Sequence, residues 1–306
     1  MISVCVGSIR GSTIQYLINS IINQKFQDWE LIIVTQGNDE GLQNTIKEAM
    51  KKDARIHTYH MDQFGRSRAL NKAVELARGD IFAFTDDDCE AAEDWLEIIN
   101  HHFMQEPGVG IVAGNLIPPK VKGINISACP ATYTIECIYK PAESGYRGPK
   151  GFYWGGANLA VRRSCFELVG PFDNNLGVGS EFPSAEDVDF GLRAELLGVV
   201  MWTTPKSIIY HTYGRRYGLK NVLNHFRGYA LGGGALGAKL KVSGHWLSEE
   251  WDHPQPFFKT IRKFFPNPLK GLLFLYTTHY KKEGFRAYQA KYVLAKEQPS
   301  DKLVKV

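Results

Sequence analysis

No run of about eighteen apolar residues occurs in this 306-residue chain, so no membrane-spanning helix is expected. The best candidate, "LLFLY" at 272–276, is far too short. There is no CxxC pair either. The five cysteines (Cys5, Cys89, Cys129, Cys137, Cys165) are an odd, scattered set. They read as free thiols in a reducing compartment; Cys129 and Cys137 could pair, but nothing requires it. The start, "MISVCVGSIRG", lacks a basic segment and a long apolar run, so no signal peptide is expected. No GxGxxG and no Walker A lysine follow the first apolar stretch. "GSIRGS" stands there instead, which counts against dinucleotide and P-loop folds. No internal repeat is visible.

What is present is ordinary globular composition, 44% hydrophobic and 22% charged, enough for one large domain or two small ones. The net charge is +4. Lys and Arg outnumber Asp and Glu from Trp251 onward, and the reverse holds before it. Disorder is expected only in the last residues, "KEQPSDKLVKV".

The first 105 residues alternate strand and helix patterns. "SVCVG" reads as a buried strand, and "STIQYLINSIINQK" as a helix with Ile14, Leu17, Ile18, Ile21 and Ile22 inward, capped by Ser12 or Thr13. "ELIIV" is the next strand. "GLQNTIKEAMKK" follows as a helix burying Leu42, Ile46, Ala49 and Met50. "RIHTYH" is a weaker strand, "SRALNKAVELARG" a helix closed by Gly79, "DIFAFT" a strand and "AAEDWLEIINHHFMQ" a helix. Such alternation implies βαβ units, a mainly parallel sheet, and a ligand site outside the carboxyl ends of its strands. Beyond residue 115 the stretch to Gly151 is rich in Pro, Gly and Tyr and reads as a functional loop or lid. Regular structure returns with "ANLAVRR", the helices "SCFELVG" and "AEDVDFGLRAELLG", and the strands "VVMWTT" and "KSIIYHT".

Three consecutive aspartates, Asp86, Asp87 and Asp88, close the strand "FAFT". Like charges this close repel, so a cation is expected among them. Side chains two apart on extended chain point the same way, and two hard oxygen ligands suit Mg²⁺ or Mn²⁺. A capping role in the next helix is the plainer alternative. The pattern is wrong for a haloacid-dehalogenase nucleophile, which would follow the first strand as DxDx(T/V). A second acidic group, Glu186, Asp187 and Asp189, opens a helix. Helix-dipole capping or a general base acting on an alcohol would both explain it. In that helix Val188, Leu192 and Leu196 offer a buried side. A third constellation is His211 at a strand end, followed by Arg215 and Arg216.

Taken in order, "ISVCVGSIRGSTIQYLINSIINQKFQDWELIIVTQG", "GRSRALNKAVELARGDIFAFTDDD", "GGANLAVRRSCFELVGPFD", "SAEDVDFGLRA" and "YHT" resemble the family 2 glycosyltransferases over about residues 1–215. The resemblance implies the GT-A (Rossmann-like) α/β fold: a mixed, mostly parallel sheet flanked by helices, here with a C-terminal helical extension. It implies a nucleotide-sugar-binding half (1–115) and an acceptor-binding half with a flexible loop (116–215); the remainder (216–306) reads from its own pattern as a basic, amphipathic helical extension. It also implies a nucleoside diphosphate-sugar donor, a UDP-sugar by preference, with Mn²⁺ or Mg²⁺. Ser8, Arg10, Gln36, Arg68, Asp86, Asp87 and Gly156 would serve the donor, with Gly7, Thr35 and Asn38 nearby. Thr35 and Gln36 stand where the family often has Asp. Asp86 and Asp88 match its DxD motif, Asp88 with Asp86 and His211 holding the metal. Asp187, with Glu186 beside it, matches the base of an inverting displacement. Gly155, Gly156 and Asn158 lie where sugar would pass, and Tyr153 with Trp154 would form either a stacking platform or part of the core.

The expected function is therefore metal-dependent, inverting transfer of a sugar to a hydroxyl of a glycan, lipid-linked or other acceptor, in glycan or polysaccharide biosynthesis. A sugar-phosphate nucleotidyltransferase would want a better Gly-rich triphosphate loop than "GSIRGS". A non-catalytic nucleotide-sugar binder should have lost the metal acids or the base. The basic, aromatic segment "PFFKTIRKFFPNPLKGLLFLYTTHYKKEGFRAYQAKY" suits either a helical cap or an anionic membrane surface. The expected location is cytoplasmic, either free or in peripheral contact with the inner membrane face, and no nucleic-acid partner is expected.

Overall fold

The computed structural model describes residues 1–123, 125–129, 135–144, 155–244 and 268–293. The chain forms two compact units, Met1–Asn174 with Glu186–Tyr217, and Asn175–Ala185 with Gly218–Val306.

The first unit carries β1 (Ile2–Ser8), α1 (Gly11–Ile22), β2 (Trp29–Gln36), α2 (Glu40–Lys52), β3 (Ile56–Met61), α3 (Arg66–Leu76), β4 (Ile81–Phe84), β5 (Glu90–Ala91), α4 (Trp95–Gln105) and β6 (Val109–Ile117). It continues with β7 (Ile126–Ala128), β8 (Cys137–Tyr139), α5 (Pro141–Ser144), β9 (Leu159–Arg162), α6 (Arg163–Val169), α7 (Glu186–Leu196), β10 (Val200–Tyr210) and β11 (Arg215–Tyr217). Among the described residues, nine strands form one sheet in the order β3-β2-β1-β4-β9-β6-β10-β5, with β8 also on β10. The β3-β2-β1-β4 half is parallel; β9 runs antiparallel between β4 and β6, and β10 is parallel to β6. β7 and β11 pair separately. The expected mixed, mostly parallel sheet flanked by helices is what forms. β6 runs through residue 115, where the sequence suggested a boundary.

Every residue of β2 is buried, as a strand covered on both faces must be. Its one acid, Glu30, is satisfied by Ser3 Oγ at 2.6 Å, the Arg78 amide at 2.6 Å and Arg78 Nε at 2.8 Å. On one face, Ile14, Leu17, Ile18 and Ile21 of α1 pack with Leu42 and Ile46 of α2 and with Trp95 of α4. On the other, α3, α6 and α7 cover the sheet around a phenylalanine cluster. Phe82 meets Phe166 edge-on at 5.6 Å, Phe84 meets Phe172 at 5.1 Å, and Phe166 stacks on Phe190 at 5.4 Å. Through Phe190 this cluster holds α7 against the sheet. α3 presses against β1: a Cβ on Gly7 would lie 2.8 Å from the Ala69 Cβ.

Local differences from the sequence pattern have physical causes. α1 is preceded by Arg10, not capped by Ser12 or Thr13. Asp39 supplies the cap from outside, accepting the Gly11 amide at 3.2 Å as well as the Leu42 amide of its own helix at 2.8 Å. α3 ends at Leu76 with Ala77 extended, so Gly79 is no helix cap. It is needed because a Cβ there would collide with Ser3 Oγ and the Met1 carbonyl. Met50 is exposed. The helix predicted from Ala91 begins only at Trp95; Ala91, with Glu90 before it, pairs with β10 instead. The buried side of α7 is Phe190, Leu192 and Ala194, with Val188 and Leu196 only half-buried. The two strands expected near 200–211 are one strand with a register shift between Thr203 and Ile208. All five cysteines are free.

In the second unit, α8 (Leu219–Ser243) packs on α9 (Pro268–Tyr288), followed by a π-helical turn, Gln289–Val293. The two helices meet at glycines: a Cβ on Gly234 would run into the Lys281 carbonyl, and one on Gly284 into that of Leu231. Leu176 and Phe182 pack on Ala235, Ala238 and Tyr288. The expected C-terminal helices are thus present. No helix among the described residues is long and apolar enough to cross a membrane. Much of the basic stretch from Pro256 onward lies outside the described residues.

Candidate active site

The carboxyl ends of β1, β4 and β10 deliver Ser8, the three aspartates and His211 to one place. Each aspartate faces a cation, with Arg10 shared between two of them. Arg66 Nε donates to Asp86 Oδ1 at 2.8 Å. Ser8 Oγ donates to Asp87 Oδ2 at 2.7 Å, and Arg10 Nη2 to Asp87 Oδ1 at 3.3 Å. His211 Nε2 lies 2.8 Å from Asp88 Oδ1, with Arg10 Nη2 3.5 Å from Asp88 Oδ2. The run of like charges is thereby split three ways.

Burial pushes the Asp87 carboxyl up, and Arg10 and Ser8 only partly offset it. Asp88 is buried as deeply, yet the His211 hydrogen bond and charge, with Arg10, hold it below the usual carboxylate range. Burial opposes the His211 charge, but the Asp88 carboxylate, with Cys129 also contributing, lifts the imidazole to about 10.

The second acidic group sits at the start of α7. Asp187 Oδ2 accepts the Gly156 amide at 2.6 Å and Oδ1 accepts the Val188 amide at 2.8 Å. A carboxylate has about four lone-pair directions, so among the described residues each oxygen keeps one open. Glu186 is buried, and its Oε1 accepts from Arg66 Nη1 at 2.8 Å. Burial first, then the Asp187 charge, push Glu186 up to about 7 against the pull of Arg66. Arg66 Nη2 donates to the Gly156 carbonyl at 2.9 Å. Just before the helix, Ala185 takes a left-handed φ of 74°. A non-glycine residue held there costs about 1–3 kcal/mol, a strain met most often at functional sites.

Donor atoms of Asp86, Asp88, Cys89 and His211 all lie within 4.8 Å of one another. Two carboxylates and an imidazole suit Mn²⁺, and the carboxylates alone suit Mg²⁺. Burial raises the Cys89 thiol well above its ordinary range, so it stays protonated and is the poorest ligand of the four. The His211 ring is seated on backbone: a Cβ on Gly214 would lie 2.5 Å from its Nε2 and 2.7 Å from its Cε1. Gly214→Ala is therefore expected to displace the imidazole from Asp88 and weaken Mn²⁺ binding about tenfold or more, as loss of a supporting contact does. Calorimetric titration with Mn²⁺ checks this, and unchanged affinity would detach His211 from the ion.

Of the residues singled out from sequence, Ser8, Arg10, Asp87, Asp88 and His211 are joined by hydrogen bonds and ion pairs, Gly156 is bonded to Asp187, and Asp86, Glu186 and Gly156 are drawn together by a residue that was not singled out. Gly156, expected at the donor, spends both backbone groups on Asp187 and Arg66. Gln36, also expected at the donor, is buried with its amide committed: Nε2 donates to the Gln63 and Gly65 carbonyls at 2.6 and 3.1 Å. It shapes the 63–65 loop and has no donor group left for a base. Asn158, expected along the sugar path, is buried as well, bonded to the Asn115 and Ser207 carbonyls and to Trp95 Nε1. Arg68 is half-buried on α3 and makes no hydrogen bond or ion pair among the described residues, so its guanidinium is open to a ligand. Tyr153 and Trp154 lie outside the described residues. The residue the sequence reading missed is Arg66, which joins the two groups. A signal existed: a cation in the first turn of a helix opposes the helix dipole, so an acidic partner was to be expected.

This arrangement, at the carboxyl ends of a mixed sheet with an acid pair after β4 and another at α7, defines the class. Residues 4–169 match the sequence profile described as Glycosyl transferase family 2, and the chain belongs to that family. It is 26% identical over 176 residues to a glucosyl-dolichyl phosphate glucuronosyltransferase of Haloferax volcanii, covering 57% of this chain and 56% of that protein. It is 27% identical over 171 residues to the glycosyltransferase AglE of the same organism, covering 55% and 54%. The chain thus spans about half the length of these curated relatives. Among solved structures, the mannosyltransferase PcManGT from Pyrobaculum calidifontis, in complex with GDP-Man and Mn²⁺, superposes with a TM-score of 0.57 at 17% identity, over 98% of this chain and 76% of that one. TarS 1-349 of S. aureus in complex with UDP-GlcNAc gives 0.57 at 15% identity, over 96% and 92%.

Proposed function

We propose that this protein transfers a sugar from a nucleoside diphosphate-sugar to a hydroxyl of a glycan or lipid-linked acceptor, with inversion. The observation that carries the reading is the pairing of two acid groups through Arg66: Asp86 and Asp88 with His211 on one side, Asp187 on the other. Donor complexes of the two structural neighbours, with GDP-Man and Mn²⁺ and with UDP-GlcNAc, support a nucleotide-sugar and a divalent ion. The dolichyl phosphate in one relative's name supports a lipid-linked acceptor.

Asp86, Asp88 and His211 would hold the ion, which when bound supplies Lewis-acid neutralisation of charge on the leaving diphosphate. Arg10 and Arg68 add positive charge on the donor side. Asp187 takes the acceptor's hydroxyl proton on its open lone pair as the new glycosidic bond forms. The Gly156 and Val188 amides hold its carboxylate in place for that transfer. Nothing in this assignment calls for a covalent sugar–enzyme intermediate, so one displacement inverts the anomeric centre.

The test is a panel of nucleotide-sugars in thermal-shift assays with and without Mn²⁺. A donor at about 100 times its Kd adds about 2.7 kcal/mol, enough to raise Tm by several degrees. A rise specific to one nucleotide-sugar and larger with Mn²⁺ is expected. If no nucleotide-sugar raises Tm under either condition, the donor assignment fails.

A further inference from the structure

We propose that Arg66 is a positioning residue that sets the general base from the donor side of the site, and that it acts through the shape of its guanidinium, not through charge alone. This rests on reading the site as that of a sugar transferase.

The three nitrogens of Arg66 go to three acceptors from three separate stretches of chain. Nε reaches Asp86 Oδ1 after β4 at 2.8 Å, Nη1 reaches Glu186 Oε1 on α7 at 2.8 Å, and Nη2 reaches the Gly156 carbonyl before β9 at 2.9 Å. The side chain is only 12% exposed, so water does not compete for these bonds. The peptide whose carbonyl it holds belongs to the residue whose amide holds Asp187 Oδ2 at 2.6 Å. A continuous bonded path therefore runs Asp86–Arg66–Gly156–Asp187. The path has no slack: a Cβ on Gly156 would lie 2.9 Å from Arg66 Nη1 and 3.0 Å from the Asp187 Cβ.

A planar fork is what this geometry needs. Arginine presents rigid, fixed donors in one plane and keeps its charge at any working pH. A lysine at this position keeps the charge, but its single ammonium cannot meet three divergent acceptors at those separations. Arg66 also shares Asp86 with any ion bound there, so its positive charge opposes that ion. Removing it is expected to move two observables in opposite directions: turnover falls because Asp187 loses its reference point, while ion affinity holds or rises. A site that had merely collapsed would lose both.

The experiment uses the full chain with Arg66→Ala and Arg66→Lys. Mn²⁺ binding is followed by the electron paramagnetic resonance of free Mn²⁺, and kcat and donor Kd are measured with the nucleotide-sugar found in the Tm panel. For Arg66→Ala, kcat should fall about 100-fold, the scale of a misplaced catalytic group. Donor Kd should change by less than about threefold, Mn²⁺ should bind as tightly as before or more tightly, and added guanidinium ion should restore part of the turnover where ammonium does not. Arg66→Lys should bind Mn²⁺ like the wild type yet remain at least about tenfold slow. Wild-type kcat in Arg66→Lys would overturn the proposal. So would parallel loss of Mn²⁺ affinity and kcat in both variants. If Arg66→Ala does not fold, the lysine variant decides alone. A wild-type protein that neither binds Mn²⁺ nor transfers sugar would overturn the reading of the whole site, and the role of Arg66 with it.

Discussion

Asp187→Asn is expected to lower kcat by about 10²–10⁴-fold, the range for loss of a positioned proton acceptor, while donor Kd stays close to that of the wild type. The change is nearly isosteric, and its structural cost can be traced. Both carboxylate oxygens accept backbone amides, from Gly156 and Val188. An asparagine can satisfy one with its carbonyl but presents an NH₂ to the other. One amide goes unpaired at a cost of about 1–3 kcal/mol, and Tm should fall modestly. Single-turnover kinetics beside donor titration separates the two effects. Undiminished turnover would remove Asp187 from its role, and loss of donor binding would move it to the donor side.

Asp88→Asn should abolish measurable Mn²⁺ binding in calorimetry and with it at least about 10²-fold of activity, because the remaining ligands are one carboxylate and one imidazole. It also strips His211 of its counter-charge, and that loss has a pH signature. In the folded wild type His211 is lifted to about 10, above its unfolded value. The stabilisation from this pair is therefore complete below the unfolded pKa of about 6.5 and disappears as pH rises through the folded one. The Tm difference between wild type and Asp88→Asn should be widest near pH 6 and narrow steadily toward pH 10. A difference independent of pH would mean that the pair does not form. The buried imidazole can shed its proton in the variant, so the chain should still fold.

Much of this was legible in the sequence. Asp86 and Asp88 were conspicuous because three acids ending an apolar strand call for positive charge nearby, which Arg66, Arg10 and His211 supply, and Glu186 and Asp187 because they open a helix with an apolar side. The βαβ alternation gave the parallel half of the sheet, since strands such as β2 are apolar throughout. Polar residues that serve the backbone were harder. Gln36 and Asn158 have the hydrogen-bonding capacity of ligand contacts, and only coordinates reveal that carbonyls 63, 65, 115 and 207 already use it. Gly79 looked like a helix end because composition does not distinguish a left-handed glycine from one demanded by a neighbouring strand. Arg66 is harder to single out than its neighbours suggest: its place at a helix start calls for an acidic partner but does not say which, and its partners lie 20, 90 and 120 residues away.

The close approach of α3 to β1 at Gly7 and Ala69 has a bearing on how such a protein diversifies. With a Gly7 Cβ lying 2.8 Å from the Ala69 Cβ, any side chain at Gly7 forces the floor of the proposed donor site to shift. Changes in ligand preference would then fall on the exposed side chains beside it, Asn38, Gln63 and Phe64, and not on Gln36 or Gly65, which are bonded to each other directly ahead of Arg66.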